Sequence, residues 1–110
     1  MLKKKIRLTK RGSFSYVYRK GKGTSARGIK MLFVPSNAVK IGFAVSNRIG
    51  KAVVRNLVKR RLRAILRENL HLIKVKGQIV FVAKEGIETM EYREIESEVK
   101  RLIGRIMHTA

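Results

Sequence analysis

Between Ser46 and Arg67 the chain reads SNRIGKAVVRNLVKRRLRAILR. Wound at about 100° per residue, Lys51, Arg55, Asn56, Lys59, Arg60, Arg63 and Arg67 fall on one broad helix face. Val54, Leu57, Val58, Leu62 and Ile65 fall on the opposite side. Arg61 lies inside the apolar arc and must carry its head out to water along its own stem. Arg outnumbers Lys on the polar face, and a guanidinium fork meets two phosphate oxygens at once. Each phosphate neutralised in this way releases condensed counterions. The chemistry of this segment is therefore the holding of a polyanion.

The rest of the chain supports that reading. Its first 67 residues carry 20 Lys or Arg and no acid, and all seven acids are Glu, beginning at Glu68. An ordinary solvated helix face mixes both signs. The formal net charge of +20 repels itself, so the free protein is expected to be less stable than the bound one and sensitive to anions. A DNA major groove is one home for such a helix. Base reading there calls for several Asn, Gln or Ser beside the Arg, and only Asn56 is available. Phe14 and Tyr18 suit stacking on unpaired bases, as in single-stranded RNA recognition, and their spacing suits packing against a core equally well.

Residues for bond-making chemistry are scarce. His71 and His108 are the only histidines, and there is no Asp and no Cys. His71 ends the basic helix, where capping the last carbonyls is the expected role. A two-metal nuclease needs clustered carboxylates, and the basic half has none, so no catalytic residue is assigned. The lack of Cys excludes disulfides and thiolate zinc sites and agrees with a cytoplasmic setting. No apolar run reaches the roughly 18 to 20 residues of a membrane span, and MLKKKIRL lacks the apolar stretch of a signal peptide. No membrane partner is expected.

The elements that must position these residues follow from periodicity. Residues 1–8 read as a flexible basic arm. Thr9 is placed to cap a helix reaching about Arg19, with Phe14, Val17 and Tyr18 on one face. Residues 24–28 read as a turn or short edge strand. Ile29–Val34 and Val39–Val45 alternate as strands joined by Pro35-Ser36-Asn37. In the second, Gly42, Ala44 and Ser46 point away from the apolar side, which suggests a face approached closely by something else. The basic helix runs from about Ala52 to Leu70. Gly77 breaks the chain before Gln78–Ala83, a continuously apolar and hence central strand. A last helix starts near Thr89 or Glu91 and carries the stripe Tyr92, Ile95, Val99, Leu102, Ile103, Ile106. Residues 1–110 then form one RNA-binding domain, an α+β (α/β) two-layer sandwich around a small sheet.

These segments together resemble the bacterial ribonuclease P protein subunit. The resemblance rests on Asn47-Arg48-Ile49-Gly50-Lys51-Ala52 leading into Arg55-Asn56-Leu57-Val58-Lys59-Arg60 and Arg63. It rests also on Arg7-Leu8, Phe14, Val17, Tyr18 and Gly21 upstream, and on Ile79-Val80-Phe81-Val82-Ala83 with the final helix. It covers nearly the whole chain. Leu57 stands where the family usually has the second Arg of its motif, and Gly28-Ile29 where an aromatic is common.

The resemblance implies a mixed sheet of about four strands with a left-handed crossover between parallel strands. It implies a ribonucleoprotein endonuclease that removes 5′ extra nucleotides from precursor tRNA, its catalysis carried by the RNA subunit and by Mg²⁺ that this RNA mainly holds, with no organic cofactor. On this resemblance Arg48, Lys51, Arg55, Asn56, Lys59, Arg60 and Arg63 face ribonuclease P RNA. Phe14, Val17, Tyr18 and Ile29 line a cleft for the precursor's single-stranded leader. A ribosomal or ribosome-assembly RNA-binding protein without enzymatic role explains the charge and the small fold equally well, but not the joint match of the two motif regions.

Overall fold

A computed structural model describes residues 7–8 and 11–109. Helix α1 spans Arg11–Lys20, α2 Ala52–Asn69 and α3 Tyr92–Thr109; strands are β1 Lys22–Ala26, β2 Ile29–Pro35, β3 Lys40–Val45 and β4 Gly77–Ala83. One mixed sheet has the order β1-β2-β4-β3. The pairs β1–β2 and β2–β4 are antiparallel, and β3–β4 is parallel. A parallel pair cannot be closed by a tight turn, and α2 lies in the connection between β3 and β4.

Gly77 does not break β4. It begins the strand opposite Pro35, and the Phe33 ring occupies its side-chain space: a Cβ there would stand 2.3 Å from Phe33 Cε1. Residues 22–26 are a full edge strand. Its two-residue connection to β2, Arg27-Gly28, needs Gly28 in the left-handed region (φ 75°), where glycine alone pays no steric penalty.

The two faces of the sheet bury different cores. Ile29 and Met31 of β2, Ile79 and Phe81 of β4, and Ile41 of β3 pack against Val58, Leu62, Ile65 and Leu66 of α2 and the predicted stripe of α3. Phe43 and Phe81 stack within this layer, ring centroids 6.2 Å apart. This is the expected sheet-on-helix sandwich. Across the second face lies α1, whose Val17 is wholly buried with Leu8, Leu32, Val34 and Val80. The register sets the second face in rows: Lys30, Val82 and Ala44; then Leu32, Val80 and Gly42; then Val34, Gln78 and Lys40.

Capping joins the elements. Asn69, buried at the end of α2, donates from Nδ2 to Ile65 O (2.7 Å) and to Glu96 Oε2 on α3 (3.1 Å). At the start of α3, Glu94 Oε1 accepts from the Glu91 backbone N–H (2.9 Å). That is the return half of a capping box, and Glu94 Oε2 pairs with Arg27 at 3.2 Å. Thr9, the expected cap of α1, lies outside the described residues, as do residues 1–6 of the basic arm. Arg7 and Leu8 belong to the body of the protein: Arg7 bridges Ile41 in parallel, and Leu8 N–H donates to Ile41 O (2.8 Å) on the outer edge of β3.

Candidate nucleic-acid interface

The basic surface begins at the turn before α2. Ser46 Oγ accepts from Arg48 N–H (3.2 Å) and opens a short 3-10 turn, Asn47–Ile49. Ile49 is buried and anchors that turn, while Arg48 is turned outward. Arg55 folds back over it. Its Nε donates to Gly50 O (3.1 Å) and its Nη1 to Asn47 Oδ1 (2.6 Å). The N-terminus of α2 carries no acidic residue in its first turn and no side-chain cap from Lys51. Its unpaired N–H groups and positive dipole end thus add to Lys51 rather than offset it.

Along α2, Lys51, Asn56, Arg60 and Arg63 are exposed and Arg55 and Lys59 are half-buried. Among the described residues none of these cations makes an ion pair. Salt bridges lie elsewhere, at Arg27–Glu94 and Arg101–Glu98. The buried stripe is Val58, Leu62, Ile65, Leu66 and Asn69. Leu57 is not part of it. It remains 38% exposed, and Val53, one turn before it, is 80% exposed. Leu57 sits at the border of the apolar arc, and the neighbouring elements turn that border toward water, so this surface is apolar as well as cationic.

On the second sheet face the expected cleft residues separate. Phe14 is half-buried and lies over Gly42, where a Cβ would come within 2.6 Å of the ring's Cζ. This is the close approach that Gly42 suggested. Tyr18 stands 49% exposed, and partial burial raises its hydroxyl pKa above the ordinary tyrosine value. Val17 is fully buried and serves as the pin that holds α1 on the sheet. Ile29 is corrected. It is fully buried on the opposite face, in the core with α2 and α3, and cannot line this cleft. Strand alternation explains the error: β2 is apolar on both faces, and the pattern alone does not say which set meets α1. The residues that do face α1's side are Lys30, Leu32, Ala44 and Val82, with Lys30, Ala44 and Val82 left half-covered.

Sequence reasoning treated the basic helix and the aromatic cleft as separate sites. They meet at the edge of β3, in a cleft of about 170 Å³ lined by Arg7, Leu8, Phe14, Gly42, Lys59 and Arg63 among others. Three of its residues are cations and none is an acid. Arg7 Nε is buried there without a hydrogen-bond partner. Its signal in the sequence was only the Arg7-Leu8 pair, whose apolar member docks at Ile41. Among the described residues no three His, Cys, Asp or Glu side chains gather as metal ligands would, and no helix is long and apolar enough to cross a membrane. His71 is exposed in the turn after α2, and His108 carries no described side-chain position.

Fold and site together define a small, strongly basic α+β protein with a cation-lined cleft beside a cationic helix face that makes no ion pair among the described residues. The family model for ribonuclease P matches residues 2–107. The ribonuclease P protein component of Syntrophomonas wolfei is 39% identical over 101 residues, covering 89% of this chain and 84% of that one. That of Clostridium novyi is 37% identical over 109 residues, covering 94% and 96%. The RNase P protein from Thermotoga maritima superposes with a TM-score of 0.83 at 25% identity, covering 90% of this chain and 96% of that one. A Staphylococcus aureus RNase P protein mutant superposes with a TM-score of 0.87 at 22% identity over 94% and 90%, and shares the fold. The chain belongs to the ribonuclease P protein family, whose members are protein components of an endoribonuclease complex.

Proposed function

We propose that the protein binds the catalytic RNA subunit of ribonuclease P through the outer face of α2. It also holds the single-stranded 5′ leader of precursor tRNA in the cleft between α1 and the second sheet face. The observation that carries this reading is the cation-lined cleft at the β3 edge, where Lys59 and Arg63 of the helix meet Phe14 of the cleft. A strand of RNA entering there passes from phosphate contacts to an aromatic without leaving the protein. Arg48, Lys51, Asn56 and Arg60 extend the phosphate-binding surface, and the uncapped N-terminus of α2 offers its N–H groups to a phosphate oxygen. Arg55 acts partly through the turn it staples. Phe14, Tyr18, Lys30, Ala44 and Val82 form the leader surface, and Val17 fixes α1 over it.

In this reading bond cleavage belongs to the RNA and to Mg²⁺ bound there. The protein supplies positive charge where two RNAs would repel each other, and lowers the divalent-ion concentration at which they associate. Stacking of leader bases on Tyr18 and Phe14, at about 1 to 3 kcal/mol per base, favours precursor over mature tRNA, because the product has lost the leader. Such stacking tolerates leaders of varied sequence. The cytoplasm is the corresponding setting.

The test is processing of a precursor tRNA by ribonuclease P RNA over a Mg²⁺ series. The protein alone is expected to cut nothing and, added to the RNA, to shift the Mg²⁺ midpoint downward. An unchanged midpoint, with tight binding instead to ribosomal RNA, would transfer the protein to a ribosome-assembly role.

A further inference from the structure

A second groove lies on the core-side face of the sheet, opposite the face that α1 covers. It opens between the last turns of α3 and the start of β1, with a volume of about 630 Å³. Sites for small organic ligands span about 300 to 1,000 Å³. Its floor is apolar, built from Met31, Phe33, Val75 and Ile106, and its rim carries Lys20, Lys22, Lys76 and Arg105. No acid lines it. Arg105 fixes one wall, donating from Nη1 to Thr24 Oγ1 (2.9 Å) and Ser25 O (2.8 Å). Among the described residues Lys20, Lys22 and Lys76 form no ion pair.

We infer that this groove takes unpaired nucleotides of the same RNA strand that the α1 cleft holds, after the strand has rounded the β1 edge. Two features of the groove select that occupant. An apolar floor beneath a purely cationic rim matches a ligand that joins a flat ring to a phosphate, and a nucleotide is such a ligand. The groove also reaches the end of α1: Lys20, which lines it, belongs to the last turn of that helix, two residues after the exposed Tyr18. β1 is the outermost strand of the sheet, so a chain leaving Tyr18 has a single strand to pass around. The inference rests on the leader reading of the α1 cleft and extends it to nucleotides further from the cleavage site.

The experiment assembles three proteins with ribonuclease P RNA: the unaltered chain, Lys22→Glu with Lys76→Glu, and Tyr18→Ala. Each is offered precursor tRNA with a leader that reaches only the α1 cleft, and with the same leader extended. Extension is expected to tighten binding to the unaltered protein. The double Glu variant should bring the extended-to-short affinity ratio toward one. At about 0.7 per lost single-strand phosphate contact, it should lower the salt slope for the extended substrate by about 1.4. Tyr18→Ala should weaken both substrates. A ratio unmoved by the double variant overturns the groove assignment, whatever Tyr18→Ala does. A ratio that falls while Tyr18→Ala changes neither substrate keeps the groove and rejects the α1 cleft. A second measurement needs no variant. Methyl NMR signals of Met31 and Val75 should shift when the free protein is titrated with oligouridylate. Shifts seen only with a glutamate-rich peptide would reassign the groove to an acidic protein and overturn the inference.

Discussion

Arg55 and Arg63 belong to one basic face yet meet different partners. Arg55 is spent partly on its own chain, bonded to Gly50 O and Asn47 Oδ1, whereas Arg63 opens into the cleft beside Phe14. Replacing Arg60 and Arg63 with Ala should leave thermal unfolding nearly unchanged and flatten the salt dependence of RNA-subunit binding by about 1.4, at about 0.7 per contact. Arg55→Ala should differ: it should also lower stability, by about 1 kcal/mol for the lost hydrogen bonds. Parallel salt titrations and thermal melts check both. The cationic face was legible in the sequence because helix spacing and the absence of acids are properties of the string itself. The exposure of Leu57 was not, since a helical wheel gives angles but not the positions of the elements packed around it.

Helix α3 shows how an element's end couples to pH. The Glu94 carboxyl sits below the usual glutamate range, first because the Glu91 backbone N–H bonds to it and then because Arg27 lies beside it. A carboxylate whose folded pKa is depressed adds stability above its unfolded pKa, about 4.3. That stability is lost as pH falls through the lower folded value. Glu94→Gln keeps an acceptor for the Glu91 N–H and removes the charge. It should be less stable than the unaltered protein near neutral pH, and the difference should close on acidification below about pH 4; thermal melts across pH read this directly. At this scale most boundaries were visible. The stripe of α3, the central position of β4 and the span of α2 follow from periodicity, because burial selects apolar residues at fixed intervals. Strand faces were not visible for β2, apolar on both sides, and Ile29 was misplaced for that reason. Gly77 was read as a break because its need, room for the Phe33 ring, arises only once β2 lies beside β4.

At the scale of the whole molecule, a charge of +20 on 12.6 kDa makes the folded state depend on its ions. An anion that binds only the folded form stabilises it by about 2.7 kcal/mol at one hundred times its Kd. Sulfate should therefore raise the unfolding temperature more than chloride at matched ionic strength. Sulfate also strengthens burial in any protein, so the decisive comparison is the Arg60→Ala, Arg63→Ala variant. Its gain should be smaller, and an equal gain would locate the effect away from Arg60 and Arg63.

The order of the strands has a consequence for how the chain is made. β2 and β3 follow each other in sequence but do not pair; both attach to β4, which begins at Gly77. On a chain emerging from the ribosome, the hairpin of β1 and β2 can close early, while β3 has only the short Arg7-Leu8 segment to pair with until β4 has been synthesised. Pairings this distant along the chain form slowly. The cationic helix therefore leaves the ribosome, itself rich in RNA, ahead of the strand that completes the sheet beneath it. The nascent protein is an RNA-seeking segment before it is a folded domain, and prompt closure of β4 is what ends that interval.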